Sequence, residues 1–127
     1  MDKKKALVVD DEIHIVQVVA IKLRNNGFEV MTADNGQKAL DVAKDFQPDI
    51  VVTDYQMPFM DGVELIESLR QNEDTKQTPV IMLTARGFAI EDERREKLQI
   101  SDFLSKPFSP RQLLASVEQA LGETVKA

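Results

Sequence analysis

Acidic, hydroxyl and basic side chains follow four of the five short apolar segments in this 127-residue sequence. They are Asp10, Asp11 and Glu12 after the first apolar segment, Asp54 after the third, Thr84 after the fourth and Lys106 after the fifth. Two carboxylates about 4 Å apart repel each other by about 4 kcal/mol at an effective dielectric constant of about 20, so adjacent acids need water or a cation. Oxygen ligands suit Mg²⁺, or Mn²⁺ as a substitute. Carboxylates, a metal ion, a lysine and a hydroxyl together can perform phosphoryl transfer, in which a carboxylate can itself be the nucleophile.

The five apolar segments predict five β-strands. They are Ala6 to Val9, Phe28 to Thr32, Ile50 to Thr53, Val80 to Leu83, and a weaker one at Phe103-Leu104. The first, third and fourth are continuously apolar rather than alternating, which is typical of parallel strands that are buried on both faces.

Helical patterns separate the predicted strands and follow the last one. Four of these patterns are apolar stripes: Ile13, Val16, Ala20 and Leu23; Ala39, Leu40, Val42, Ala43 and Phe46; Val63, Leu65, Ile66 and Leu69; and Leu113, Leu114, Val117 and Leu121. The other, fourth along the chain, is a heavily charged segment from Ile90 to Leu98. Asn26-Gly27 predicts the end of the first helix. The last helix has the clearest start, because Ser109 and Gln112 can form a capping box around Pro110, and Gly122 is expected to end it.

Strict alternation of strand and helix predicts an α/β doubly wound fold, with a parallel sheet covered by helices on both sides. The carboxyl ends of parallel strands lie at one edge of the sheet, where ligands of such folds bind. The acidic run, Asp54, Thr84 and Lys106 are therefore expected to converge. We expect a single domain over residues 1–127, with a core from about 5 to 122 and no output domain.

The composition narrows the possible functions. Hydrophobic residues make up 43% of the chain and charged residues 30%, and there is no cysteine and one histidine. Disulfides and a multi-histidine metal site are thus excluded. A formal charge of -6 and a pI of about 4.8 argue against a nucleic-acid partner. No apolar run approaches the roughly 20 residues that cross a bilayer, so we expect a cytoplasmic protein without a membrane partner.

Each polar feature taken alone has an ordinary structural interpretation. An acidic run after a strand often marks a helix N-terminus, where acids suit the helix dipole. Asp54 could be a turn residue, and Thr84 and Lys106 could simply end strands. The joint placement of compatible groups after four of five strands is what favours a functional site. His14 and the charged run at residues 91–97 are interpreted as surface features.

Four segments resemble the receiver domain of two-component response regulators, the fold of the chemotaxis response regulator. The segments are VVDDE, PDIVVTDYQMPFMDG, PVIMLTA and FLSKPF, and the resemblance runs from about Lys5 to Leu121. It implies a flavodoxin-like (βα)5 three-layer sandwich with a five-stranded parallel sheet in the order 2-1-3-4-5.

The resemblance also implies roles for individual residues. Asp54 would be phosphorylated. Asp11, Asp54 and the backbone carbonyl of Gln56 would bind Mg²⁺, and Asp10 would do so directly or through water. The phosphoryl-binding and switch residues would be Thr84, Ala85, Lys106 and Phe103. Lys106-Pro107 would be a cis peptide, and Pro58 and Gly62 would shape the loop after Asp54.

The function implied is that of a phosphoaccepting switch rather than an enzyme with an external substrate. A sensor histidine kinase or a histidine phosphotransfer protein would supply the phosphoryl group. The surface of the predicted fourth helix, fifth strand and fifth helix would then change, and would contact a downstream protein, a linked output domain or a second copy. Phe103 stands where tyrosine is frequent and Gln99 where glycine usually ends the fourth helix, while Gln56 and Arg86 occupy positions that tune acyl-phosphate lifetime.

Three alternatives fit the sequence less well. A haloacid-dehalogenase-type phosphatase needs Asp-x-Asp after the first strand, whereas Asp10, Asp11 and Glu12 are contiguous. A nucleotide or flavin binder needs a glycine-rich phosphate loop there, and none is present. A receiver that has lost phosphorylation would not be expected to keep the acids, Thr84 and Lys106.

Overall fold

Continuously apolar segments form the centre of the sheet in the computed structural model, which describes residues 3–84 and 96–125. The strands are β1 (Lys5–Val9), β2 (Glu29–Ala33), β3 (Ile50–Asp54), β4 (Val80–Thr84) and β5 (Ile100–Ser105). They pair in the order β2-β1-β3-β4-β5, and every pair is parallel. The expected fold class and strand order are confirmed.

Helices cover both faces of this sheet. They are α1 (Ile13–Asn25), α2 (Gly36–Phe46), α3 (Gly62–Arg70) and a C-terminal helix (Pro110–Val125). Ala6 and Val8 of β1 pack into the apolar cluster beneath α1 and the C-terminal helix. Leu7 and Val9 point the other way, into the cluster beneath α2 and α3. This alternation produces a three-layer sandwich, because successive strand residues face opposite sides. Of the predicted fourth helix, residues 96–98 are helical, and residues 90–95 lie outside the described part of the chain.

Capping boxes begin two of these helices. The predicted capping box is confirmed, since Gln112 N donates to Ser109 Oγ at 3.0 Å and Ser109 N donates to Gln112 Oε1 at 2.9 Å. Asp61 and Glu64 form a second capping box at α3, with bonds of 2.8 and 3.1 Å. These caps fix where α3 begins after the loop that follows Asp54.

Two details of the sequence interpretation were wrong. Ile13 was placed on the buried stripe of α1, but it is 71% exposed. It is the first residue of α1, and the buried residues of that helix begin at Val16. Gly122 was expected to end the last helix, which continues to Val125. A glycine near a helix end weakens a helix by only about 1 kcal/mol, which a packed helix tolerates.

Among the residues that the structure describes, none of the helices is both long and apolar enough to cross a membrane.

Candidate functional site

The predicted site residues lie at the carboxyl edge of the sheet. Asp10 directly follows β1, Asp54 and Thr84 end β3 and β4, and Lys106 directly follows β5. Backbone bonds hold these ends in register, since Tyr55 N donates to the Leu83 carbonyl at 2.8 Å and Lys106 N donates to the Thr84 carbonyl at 2.8 Å. Residues up to 96 positions apart are thereby brought to one edge, as the strand pattern predicted.

The Lys106 ammonium bridges three carboxylates. Its Nζ lies 2.9 Å from Asp10 Oδ2, 2.9 Å from Glu12 Oε1 and 3.3 Å from Asp54 Oδ1. The contact with Glu12 is a hydrogen bond, whereas that with Asp10 Oδ2 is an ion pair without well-directed hydrogen-bond geometry. Burial alone would lower the pKa of Lys106, but Glu12, Asp10 and Asp54 raise it above its ordinary value. We call Asp10, Glu12, Asp54 and Lys106 the acid cluster.

Burial raises the pKa of the two buried carboxyl groups of the acid cluster. Burial first, and then the charge of Asp10, raise the pKa of Asp54 to about 6, against the opposing effect of Lys106. Burial also raises the pKa of Asp10, although the Glu12 backbone N–H and Lys106 oppose this. The pKa of Glu12 is lowered, chiefly by its hydrogen bond to Lys106. At neutral pH a carboxyl group with a pKa near 6 is mostly ionised, and its oxygen is more basic and more nucleophilic than that of an ordinary aspartate.

The donor set of the cluster fits a hard divalent cation. Asp10, Glu12 and Asp54 each offer one oxygen atom, and these atoms all lie within 4.8 Å of one another. Asp10 Oδ2 is buried and accepts no hydrogen bond from the described residues. Carboxylate oxygens in excess of their positive partner are the ligands that Mg²⁺ prefers.

Asp11, one of the predicted metal ligands, is exposed and is not one of those three carboxylates. Its charge still reaches Asp54, since it is among the causes that raise the pKa of Asp54. Glu12 was expected at this edge as part of the acidic run, but not as a metal ligand or a switch residue. Glu12 is the N-cap residue of α1, yet its side chain caps no backbone N–H and binds Lys106 instead. The signal available in the sequence was a glutamate at the helix N-cap, where shorter side chains such as serine or aspartate are preferred.

Gly62 lets the loop after Asp54 fold back against the strand end. A Cβ atom at Gly62 would lie 2.4 Å from the Asp54 carbonyl oxygen, which is far inside van der Waals contact. Gly62 N donates to the Tyr55 carbonyl at 2.7 Å, and Thr53 Oγ1 donates to the Asp54 carbonyl at 3.0 Å. The predicted role of Gly62 in shaping this loop thus has a steric cause.

The remaining predicted residues that the structure describes are not members of the acid cluster. Gln56 is exposed on the loop after Asp54, and Phe103 of β5 is partly buried against the apolar cluster beneath α2 and α3. The Lys106-Pro107 peptide is cis, as the resemblance implied. Ala85 and Arg86 lie outside the described residues.

Comparison with known proteins identifies the family. The family model for the response regulator receiver domain matches residues 6–118. The chain belongs to this family, whose members are signalling switches of two-component systems that receive phosphoryl groups from histidine kinases. This membership disfavours the phosphatase and nucleotide-binding alternatives.

Individual relatives agree with this membership. The phosphate regulon transcriptional regulatory protein PhoB of Pseudomonas aeruginosa is 39% identical over 123 residues, covering 95% of this chain and 53% of PhoB. The chemotaxis response regulator CheY4 of Vibrio cholerae has a similar structure, with a TM-score of 0.86, 34% identity and coverage of 94% of this chain and 99% of that one. The chain spans about half the length of the curated relatives that it matches.

A third relative was solved with a metal ion. It is the receiver domain of the sensor histidine kinase PA1611 from Pseudomonas aeruginosa, with magnesium coordinated in its active site cleft. Its TM-score is 0.83 at 26% identity, with coverage of 95% of this chain and 99% of that one.

Proposed function

We propose that Asp54 accepts a phosphoryl group from the phosphohistidine of a sensor histidine kinase or a histidine phosphotransfer protein, with the help of Mg²⁺. The observation that carries this proposal is the Lys106 ammonium, which lies 2.9 to 3.3 Å from three carboxylates at the carboxyl edge of the sheet. A cation held next to a nucleophilic carboxylate suits the transfer of a dianionic group. Residues 5–122 would act as one receiver unit.

In the proposed transfer, an Asp54 carboxylate oxygen attacks phosphorus as the phosphorus–nitrogen bond to the donor imidazole breaks. The bonding pair stays on the imidazole nitrogen, which takes up a proton, and the product is an acyl phosphate. The Lys106 ammonium would pair with one phosphoryl oxygen. The Thr84 hydroxyl would donate to another, and Ala85, the next residue in the chain, would also bind the phosphoryl group. Positioning and charge stabilisation supply most of the catalysis in reactions of this class.

The proposed Mg²⁺ ligands are Asp10, Asp11, Asp54 and the backbone carbonyl of Gln56, and Mn²⁺ is an expected substitute. The bound ion would neutralise charge on the transferring phosphoryl oxygens. Three clustered carboxylates and a buried Asp10 oxygen support an oxygen-ligand site, and the magnesium-bound receiver of PA1611 supports this choice of metal.

Phosphorylation would alter the surface made by the predicted fourth helix, β5 and the C-terminal helix, through Thr84 and Phe103. That surface would contact a downstream protein, a covalently linked output domain or a second copy. Relatives such as PhoB, which are transcriptional regulators about twice as long as this chain, support a linked output domain. The formal charge of -6 supports a protein rather than a nucleic-acid partner, and a phosphorelay switch of this kind would work in the cytoplasm. Gln56 and Arg86 would set the lifetime of the acyl phosphate.

The test uses phosphoramidate, a small donor with a phosphorus–nitrogen bond, together with Mg²⁺. Wild-type protein should gain one phosphoryl group by intact mass, and peptide mapping should place it on Asp54. Chelation with EDTA and the variant Asp54→Asn should both prevent this gain, whereas Asp45→Asn on the exposed face of α2 should not. A phosphoryl group on another residue, or one that persists in Asp54→Asn, would overturn the assignment.

A further inference from the structure

Phe59 combines two unfavourable features in the loop after Asp54. Its side chain is fully exposed to water, although it is a large aromatic. Its backbone has a φ of 70°, in the left-handed region that bulky residues avoid. Met60 N donates to the Pro58 carbonyl at 2.7 Å, which closes a three-residue γ-turn centred on Phe59. A γ-turn with positive φ at its centre is the rare and strained form.

Other residues at this position would avoid both features. Glycine would adopt this backbone without strain, and a polar side chain would avoid exposing an apolar ring. An aromatic residue that is held exposed by a strained backbone, on the loop that leaves the reactive Asp54, points to a role in binding.

The position of Phe59 identifies what it would meet. Asp54 is only 5% exposed, so a protein that delivers a phosphoryl group to it must cover the rim of the acid cluster. Phe59 belongs to the loop that leaves Asp54, and a bond of 2.7 Å from Gly62 N to the Tyr55 carbonyl ties the two ends of that loop together. Ile13, which is 71% exposed, directly follows Glu12 on the segment between β1 and α1. Two exposed apolar side chains therefore come shortly after members of the acid cluster in the sequence, Ile13 after Glu12 and Phe59 after Asp54.

We propose that Phe59 is a docking anchor for the phosphohistidine-bearing protein, its ring filling an apolar recess beside the phosphohistidine of that partner. This inference rests on the proposed function. The acid cluster favours a partner whose surface around the recess is neutral or basic. A second copy of this chain does not fit, because it would bring two acid clusters together and block both acceptors. The surface proposed for the downstream partner lies elsewhere, on β5 and its flanking helices.

The test compares a protein donor with a small donor. The protein donor is the autophosphorylated cytoplasmic part of the histidine kinase that transfers fastest to the wild-type chain, and the small donor is phosphoramidate. In both Phe59→Gly and Phe59→Ala, kcat/KM for the protein donor should fall at least about tenfold, mainly through KM, because a buried aromatic anchor is lost. Phosphorylation by phosphoramidate should be unchanged. Phe59→Tyr, which keeps the ring, should retain most of the rate.

Glycine relieves the strained φ and alanine does not, so an equal loss in both variants assigns the effect to the ring. Met31→Ala is the matched control, because Met31 is a 44% exposed apolar residue on the edge strand β2. Unchanged kcat/KM for the protein donor in Phe59→Gly and Phe59→Ala would overturn the anchor. A parallel loss with phosphoramidate would also overturn it, since Phe59 would then shape the acceptor itself. If wild-type Asp54 is not phosphorylated by phosphoramidate, the proposed function fails instead.

Discussion

Among the residues that the structure describes, a single ammonium faces three carboxylates in the acid cluster, and two of these carboxylates, Asp10 and Asp54, are buried. Negative charge is therefore in excess where water is largely excluded. The cost is visible in Asp54, whose pKa burial and Asp10 raise to about 6. The same excess attracts a divalent cation. The acid cluster therefore lowers the stability of the metal-free fold and favours the binding of a metal ion.

The raised pKa of Asp54 predicts a pH-dependent stability in metal-free buffer. Folded Asp54 holds its proton to a higher pH than the unfolded chain does, so the unfolding free energy should fall as pH rises from about 4 to about 7. Asp54→Asn removes this cost. It should be more stable than wild type by about 1–3 kcal/mol at pH 7, and the difference should shrink towards zero near pH 4.

Urea denaturation with EDTA present at both pH values measures this effect. Asp45→Asn removes the same charge from an exposed position on α2 and should leave the stability nearly unchanged. An advantage of Asp54→Asn that is equal at pH 4 and pH 7 would show that charge at Asp54 is not its cause.

Asp11 and Glu12 are adjacent, and the proposed metal site assigns them different roles. Asp11 is proposed to ligate Mg²⁺, whereas Glu12 hydrogen-bonds Lys106 at 2.9 Å. Asp11→Ala should weaken Mg²⁺ binding at least about tenfold, and Glu12→Ala should weaken it less, because only the first removes a ligand. Calorimetric titration with MgCl₂ compares the two variants. A larger loss in Glu12→Ala would mean that Glu12, with Asp10 and Asp54, is the ligand.

Among the helices and strands, the features predicted correctly from the sequence are those that depend on residues close together in the chain. Continuous apolar segments located the buried strands, and the Ser109–Gln112 capping box located the start of the C-terminal helix. The carboxyl-edge rule then brought Asp54 and Lys106 together. Residues whose role depends on partners distant in the sequence were missed. Glu12 needs Lys106, which is 94 positions away, and Ile13, the first residue of α1, comes before the residues through which that helix is buried.

The loop that joins β3 to α3 depends on one glycine. Gly62→Ala would place a Cβ atom 2.4 Å from the Asp54 carbonyl oxygen, and backbone there cannot move without disturbing β3. The substitution should destabilise the fold by about 2 kcal/mol or more and slow phosphorylation by phosphoramidate. Gly122→Ala is the matched control, because nothing lies within 4 Å of a Cβ atom at this helical position. It should be neutral or stabilising by up to about 1 kcal/mol. Equal stabilities of the two variants in urea would contradict the steric argument.

Across the whole molecule, β4 and β5 connect the acceptor, at the end of the neighbouring β3, to the proposed output surface. Thr84 and Ser105 are register partners at the carboxyl edge, and Met82 and Phe103 are partners two residues further down the same strands. Arg70 of α3 donates to the carbonyls of Leu98 and Gln99 at 2.8 and 3.3 Å, which ties α3 to the chain entering β5. A movement of Thr84 can therefore reach Phe103 through the paired strands β4 and β5, while the Arg70 hydrogen bonds hold α3 against the start of β5.

Beryllofluoride with Mg²⁺, which stands in for a phosphoryl group on Asp54, tests this path. We expect backbone amide NMR signals to shift at Asp54, Thr84 and Phe103 and across the predicted fourth helix, because Thr84 moves towards the added charge and Phe103 turns into the vacated space. In Thr84→Ala the shifts at Asp54 should remain and those at Phe103 should shrink, since the hydroxyl that links them is gone. Thr78→Ala removes another buried threonine, before β4, and should preserve the shifts at Phe103. Shifts confined to Asp10, Asp11, Asp54 and their immediate neighbours in the wild-type protein would show that acceptor and output surface are not coupled. The coupling needs a free-energy gap of only a few kcal/mol between the two states, which is within reach of one group that adds about two negative charges.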